Sequence, residues 1–191
     1  GSPETEKGRH SSETQHQVTL TQGYWLAETT CTQALWQAVM NNNPSNFKGE
    51  NKPVEQVSWN DIKKFLSRIN EQTPALNLKL PSEAEWENAC RAGSTNAFNF
   101  GEEIPENAMN YRGTWDDYGK WGEEALKQTA DVKSYPANDW GLYEMHGNVL
   151  EWCEDWFESF SDESTTDPKG PKEGESRVLR GGSWYNLGQY C

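Results

Sequence analysis

The sequence predicts an α+β fold with an unusually large share of loop, and three observations predict it. Helix-period apolar stripes are confined to the first half of the chain. Short alternating segments are scattered outside them. From Ala97 to Asp139, and again through the last third, glycine, asparagine, carboxylates and aromatic residues recur with no helix or strand period. Helices kept apart from strands in this way belong to the α+β class. No linker composition and no internal repeat is visible, so residues 1–191 read as one domain. A loop as long as 97–139 is uncommon in a compact domain unless it is functional or braced by an ion.

The elements follow in order. Residues 1–17 are polar and predicted to be loose. Gln17 to Thr21 alternates as a strand does, and Tyr24-Trp25-Leu26 continues it after Gly23. Thr32 is placed to cap a helix whose face carries Leu35, Trp36, Val39 and Met40, and Asn41-Asn42-Asn43-Pro44 stops it. Ser58 opens a second helix, with Asp61 in the first turn, where a carboxylate suits the dipole. Its stripe is Trp59, Ile62, Phe65, Leu66 and Ile69. Ser82 and Glu85 form a capping box for a third helix that turns Trp86 and Ala89 inward and ends at Gly93.

Composition narrows the function. The chain carries 17 basic and 30 acidic residues, a net charge of −13. That excludes the basic face nucleic-acid binding needs, and favours cations or basic partners. Ten tryptophans, seven tyrosines and six phenylalanines must carry the core, since only 34% of the residues are hydrophobic. Each buried ring removes roughly 150–250 Å² from water. Cys31, Cys90, Cys153 and Cys191 form no C-x-x-C pair, and His10, His16 and His146 are the only histidines, so a structural zinc site is not expected. No apolar run is long enough to span a membrane. The start at Gly1-Ser2-Pro3 leaves room for an upstream targeting segment, and a bacterial cell-surface or extracytoplasmic location is favoured.

The densest text runs from Trp140 to Phe157 and from Arg177 to Trp184. Irregular backbone of this kind needs glycine for unusual dihedrals and large rings to pin it. An acidic glycine-bearing loop also suits a hard cation. Trp140, Trp152, Trp156 and Trp184 read as core rather than as a sugar-stacking platform, as do Trp36, Trp59 and Trp86. His146 has no catalytic partner visible in sequence. Glu151, Glu154, Asp155 and Glu158 read as solvated surface with one cation ligand among them.

Pro53 to Trp59, Leu80 to Glu87, Gly141 to Trp152 and Arg177 to Trp184 together resemble the formylglycine-generating enzyme (sulfatase-modifying factor) family over nearly the whole chain. The resemblance implies that family's variant of the C-type lectin fold, loop-rich, with short helices and short antiparallel strands. It implies a structural calcium held by the side chains of Glu144 and Glu151 and by the carbonyls of Gly147 and Val149. It implies a second calcium site using Asn110 and the Tyr111 carbonyl with a carboxylate from the Thr114–Thr129 loop. Family members usually continue for several tens of residues beyond the position of Cys191, so the last strands of the fold are expected from a further C-terminal segment.

The family's oxidases use two cysteines shortly after the Gly-Gly-Ser segment to bind copper and convert a sulfatase cysteine to formylglycine. Here the second matches Cys191 and the first falls on Asn186. Two thiolates suit Cu(I), and an amide does not replace one of them. Three readings follow. One is a non-catalytic module that binds a protein or other macromolecular ligand. The others are a copper-dependent oxidase using Cys191, and a bacterial accessory or regulatory paralogue. The run Tyr185-Asn186-Leu187-Gly188-Gln189-Tyr190 is also similar to the variable segment of diversity-generating retroelement proteins, where asparagine codons are mutated to scatter residues over a binding face. That resemblance implies a surface of Tyr185, Asn186, Leu187, Gln189 and Tyr190, exposed above a buried scaffold of Arg180 to Trp184.

Overall fold

Among the described residues, three α-helices start where their caps demand. The computed structural model describes residues 1–113 and 126–191. Helix α1 (Gln33–Met40) is capped by the Thr32 hydroxyl, which accepts from the Leu35 amide, and ends on Asn41 in the left-handed region. Helix α2 (Trp59–Gln72) and helix α3 (Glu83–Arg91) each carry a complete capping box, Ser58 with Asp61 and Ser82 with Glu85. Each box satisfies two amides that the first helical turn leaves orphaned. Ala92, one residue before the expected Gly93, is the left-handed cap of α3.

Strands are few and short. They are β1 (Val18–Thr19), β2 (Glu151–Trp156), β3 (Thr165–Thr166) and β4 (Arg177–Arg180). β1 pairs with β3 in parallel, and β2 with β4 antiparallel. Glu151 faces Arg180 and Trp156 faces Arg177, with an irregularity between Trp152 and Trp156. The predicted strand through Leu26 is reduced to the two residues of β1, since only there does the segment meet a partner among the described residues. The N-terminal stretch is not loose: Ser2 is buried and bridges Thr14, closing a turn.

Among the described residues the core divides into three clusters. Trp36, Val39 and Phe65 lock α1 to α2, with the Trp36 and Phe65 rings stacked at 5.0 Å. Trp86, Ala89, Cys90, Leu142, Met145, Cys153 and Val178 join α3 to the β2–β4 pair. Phe98, Ile104, Met109 and Tyr111 gather on the irregular segment between them. Leu35, placed on the inner face by its spacing, is 44% exposed. Tryptophan indoles stitch α2 to β2: Trp59 donates to the Cys153 carbonyl at 3.1 Å, and Trp152 to the Val57 carbonyl at 3.2 Å. The Arg177 guanidinium lies between the Trp59 and Trp156 rings, 3.9 and 3.6 Å from their centroids. Trp140 departs from the core expectation, standing 53% exposed because Asn138, not the indole, anchors its turn. No helix among the described residues is long and apolar enough to cross a membrane.

Candidate functional site

Two neighbouring regions carry the predicted residues: the turn 144–151 and the terminal segment 180–191. The first is fixed by backbone that only certain residues adopt. Glu144, Gly147 and Asn148 all have positive φ. A Cβ on Gly147 would stand 2.3 Å from the Asn110 carbonyl oxygen, so the turn requires glycine there. Asn110 and Gly147 form a bridge, and the Asn148 amide donates to the Asn110 carbonyl at 2.7 Å. The predicted residues of both cation sites are thus brought side by side.

Asn148 is the hub of this region. It is 1% exposed. Its side-chain oxygen accepts from the Asn110 amide group at 3.1 Å and from the Ala130 main-chain N–H at 2.8 Å, while its own NH₂ donates to the Ala130 carbonyl. Three distant segments meet on one side chain. Sequence reading missed it, although an asparagine after glycine in a patternless stretch is a signal for a left-handed turn.

The carboxylates flank this hub. Glu144 is buried and accepts from the Lys133 amide at 3.0 Å and the Tyr135 amide at 3.3 Å. Burial nevertheless holds its pKa above the usual range. Glu151, at the start of β2, accepts from the Trp86 indole at 2.9 Å. Burial pushes its pKa up to about 7, the indole hydrogen bond pulls against this, and the Glu144 charge adds to it. Val149 is buried. No hydrogen bond reaches the carbonyls of Gly147 or Val149 among the described residues. Nor do three or more His, Cys, Asp or Glu side chains converge among them; the expected calcium set contains only two. Asn110 and Tyr111 are buried, and residues 114–125 of the loop expected to complete the second site lie outside the described residues.

Within the acidic cluster after Glu151, Glu158 is exposed as expected, whereas Asp155 is not solvated surface. Asp155 is 5% exposed and accepts from the Glu83 amide, capping α3 from outside its own chain segment. Glu154 pairs with Lys63 at 3.1 Å. His146 is buried and fully engaged. Its Nδ1 meets the Cys191 carbonyl at 2.9 Å, and its Nε2 accepts from the Asn99 amide and lies 3.4 Å from Cys90 Sγ. Nε2 accepting and Nδ1 donating describe a neutral ring, and burial lowers its pKa to about 4. Burial pushes the Cys90 thiol up to about 12, so neither group is poised for acid–base or nucleophilic work.

The terminal segment is built on glycine. At Gly182 an added Cβ would lie 2.4 Å from the Tyr190 carbonyl and 2.6 Å from Cys191 Sγ. Tyr185 is 62% and Tyr190 59% exposed. Asn186, Leu187 and Gln189 are half-buried, and Gly188 is buried. Of the expected scaffold only Gly182 is buried; Arg180, Gly181, Ser183 and Trp184 are half-buried. Trp184 packs edge-on against Phe47 and Tyr185. Asn186 shares a 2.6 Å hydrogen bond with the Ser183 hydroxyl, and its carbonyl accepts from the Arg112 amide. Cys191 Sγ donates to the Leu187 carbonyl and packs against the Phe98–Tyr111 cluster.

The sulfatase-modifying factor enzyme 1-like domain matches residues 1–191, the full length of the sequence. The chain belongs to that family. It is 35% identical over 183 residues to the formylglycine-generating enzyme of Mus musculus, covering 92% of this chain and 46% of that one. It spans about half the length of the curated relatives it matches. Among solved structures, Treponema denticola variable protein 1 superposes with a TM-score of 0.72 at 30% identity, over 86% of this chain and 74% of its own. PvdO from Pseudomonas aeruginosa superposes with a TM-score of 0.77 at 25% identity, over 99% of this chain and 79% of its own. These matches identify the loop-rich α+β arrangement as the formylglycine-generating variant of the C-type lectin fold.

Proposed function

We propose that this family member is a non-catalytic binding module that presents Tyr185, Asn186, Leu187, Gln189 and Tyr190 to a protein or other macromolecular ligand. The observation that carries the reading is the exposure of Tyr185 and Tyr190 on a short segment that closes tightly against Gly182. Tyrosine gives large contact area at low entropy cost. The likeness to a Treponema denticola variable protein supports a face open to diversification. The donor chemistry disfavours the oxidase alternative. One thiol, Cys191, is present where a Cu(I) pair needs two, and Asn186 is already bonded to Ser183.

Calcium is proposed as a structural ion of the same module. Glu144 is buried and Glu151 half-buried, two carboxylates whose charges oppose each other, and the resemblance adds the carbonyls of Gly147 and Val149. An all-oxygen set of this kind fits a hard cation, which would neutralise both acids at once. A second calcium at Asn110 and Tyr111 is proposed on the resemblance alone.

The test is turnover. The full-length protein, loaded with copper and given a Cys-x-Pro-x-Arg peptide, is expected to form no formylglycine. Formation of the aldehyde would overturn the binding-module reading in favour of the oxidase. The diversified face is checked separately in the DNA: a reverse transcriptase gene beside a near-repeat of codons 177–191 is expected.

A further inference from the structure

The exposed ring of Tyr185 belongs to a run of side chains that come from distant parts of the sequence. Phe47 meets the Trp184 indole edge-on at 5.3 Å, and Trp184 meets Tyr185 at 5.4 Å. The Arg112 guanidinium stands over the Tyr185 ring, 5.4 Å from its centroid. That separation is within the reach of a cation–π contact. Arg112 is also held at a second point, where its main-chain N–H donates to the Asn186 carbonyl at 2.8 Å. Segments around residues 47, 112 and 184 thus form one strip of rings that ends in a cation.

The strip is ordered before any ligand arrives. The Trp184 amide donates to the Asn148 carbonyl at 3.0 Å, and the Asn186 amide to the Ser183 carbonyl at 3.0 Å. A face already held in place loses less freedom on binding.

Its charge runs against the rest of the molecule. The chain has 30 acidic residues, yet Ser176 to Cys191 contains none. Arg112 is exposed and makes no ion pair among the described residues, whereas Arg91 and Arg180 are both engaged by Glu87. A guanidinium resting on a ring keeps its N–H edge, and that edge matches a carboxylate bidentately. Nucleic acid, another anion that arginine and aromatic rings suit, is opposed by the net charge of −13. Buried arginine and aromatic anchors supply much of the affinity of protein interfaces.

We propose that Arg112 is a specificity-determining residue of the display face, and that it selects protein segments presenting an Asp or Glu beside an aromatic or apolar side chain. The carboxylate sits on the guanidinium edge and the apolar group lies across Tyr185 and Trp184. The inference rests on the binding-module reading. For this one face it reverses the preference for basic partners that the net charge sets elsewhere.

The experiment selects a phage-displayed library of random dodecapeptides on the full-length protein. Bound peptides are expected to carry Asp or Glu next to an aromatic or apolar residue, although the field of the whole molecule favours basic ones. For such a peptide, Arg112→Gln is expected to weaken binding about 10-fold or more, and Arg112→Lys less. Replacing the peptide's acid by its amide is expected to weaken binding to the native protein but not to Arg112→Gln, which reads the contact from the ligand side. Neutral or basic peptides that need Tyr185, or acidic ones that bind Arg112→Gln as tightly as the native protein, would overturn the role of Arg112 and leave the binding module standing. An empty selection, or peptides that bind a Tyr185→Ala, Tyr190→Ala double variant unchanged, would overturn both.

Discussion

The turn 144–151 and the segment 185–190 use the same kind of backbone to opposite ends. Both are largely irregular, the second closing in a single 3-10 turn at Gly188–Tyr190, and each is pinned by a glycine with positive φ, Gly147 within the first and Gly182 against the second. In the first, every side chain from Glu144 to Val149 is buried and the polar ones are bonded inward. In the second, the glycines are buried and the tyrosines are not. In these two loops, side chains packed around the glycine are buried and those standing away from it are exposed.

The comparison is broken most sharply at Asn148. Asn148→Ala removes hydrogen bonds to Asn110 and to both main-chain groups of Ala130, leaving buried groups unpaired. Each costs about 1–3 kcal/mol. Urea unfolding is expected to show a loss of about 3 kcal/mol or more, or no folded protein. Gly147→Ala is expected to be comparably damaging, since its Cβ meets the Asn110 carbonyl.

Calcium comes next. With the ion at 100 times its dissociation constant, the folded state gains about 2.7 kcal/mol. Chelator is therefore expected to lower the melting temperature of the native protein and to leave Glu151→Gln unchanged. An equal effect on both would remove Glu151 from the ligand set.

An effect of similar size concerns pH. The Glu151 pKa is raised to about 7 in the folded state, above the ordinary carboxylate value. A raised folded pKa stabilises below the unfolded pKa, and that contribution is lost as pH rises through about 7. Without calcium, stability is expected to fall from about pH 4.5 to pH 7, by up to about 3 kcal/mol. Glu151→Gln should flatten that slope in chelator-treated melts.

The display segment supplies the smallest effects. Tyr185→Ala and Tyr190→Ala are expected to change stability by less than about 0.5 kcal/mol, because exposed residues contribute little. Trp184→Ala is expected to cost about 1–3 kcal/mol rather than to unfold the chain, since its ring is only half-buried against Phe47. A thermal melt of all three variants orders them. Tyrosine variants as damaging as Trp184→Ala would erase the distinction between scaffold and display.

The helices were legible because capping and periodicity are local. Thr32, Ser58 and Ser82 each stand where their hydroxyl meets an amide three residues on. The residues of the candidate site were named through the resemblance, not through any local pattern. The wiring was not. Asp155 looks like one more surface acid until α3 brings the Glu83 amide to it, 72 residues away in sequence. Trp140 looks like core because tryptophan usually is, yet the turn around it is held by Asn138. His146 has no partner in its own segment because its partners come from Cys90, Asn99 and Cys191. Long-range contacts leave no period in a sequence.

Asn148 also sets a tempo. Its hydrogen bonds close loops of 18 and 38 residues, and the Trp86–Glu151 bond beside it closes one of 65. Loop-closure entropy must be spent before any of these bonds forms, so chains dominated by such contacts fold slowly. The capped helices α1, α2 and α3 need no distant partner and can form in the first microseconds. The hub must wait until segments around residues 110, 130 and 148 meet together. Helical signal is therefore expected early in refolding, followed by a slow phase in which Asn148 is buried. During that interval the patternless loops remain exposed to protease and to one another.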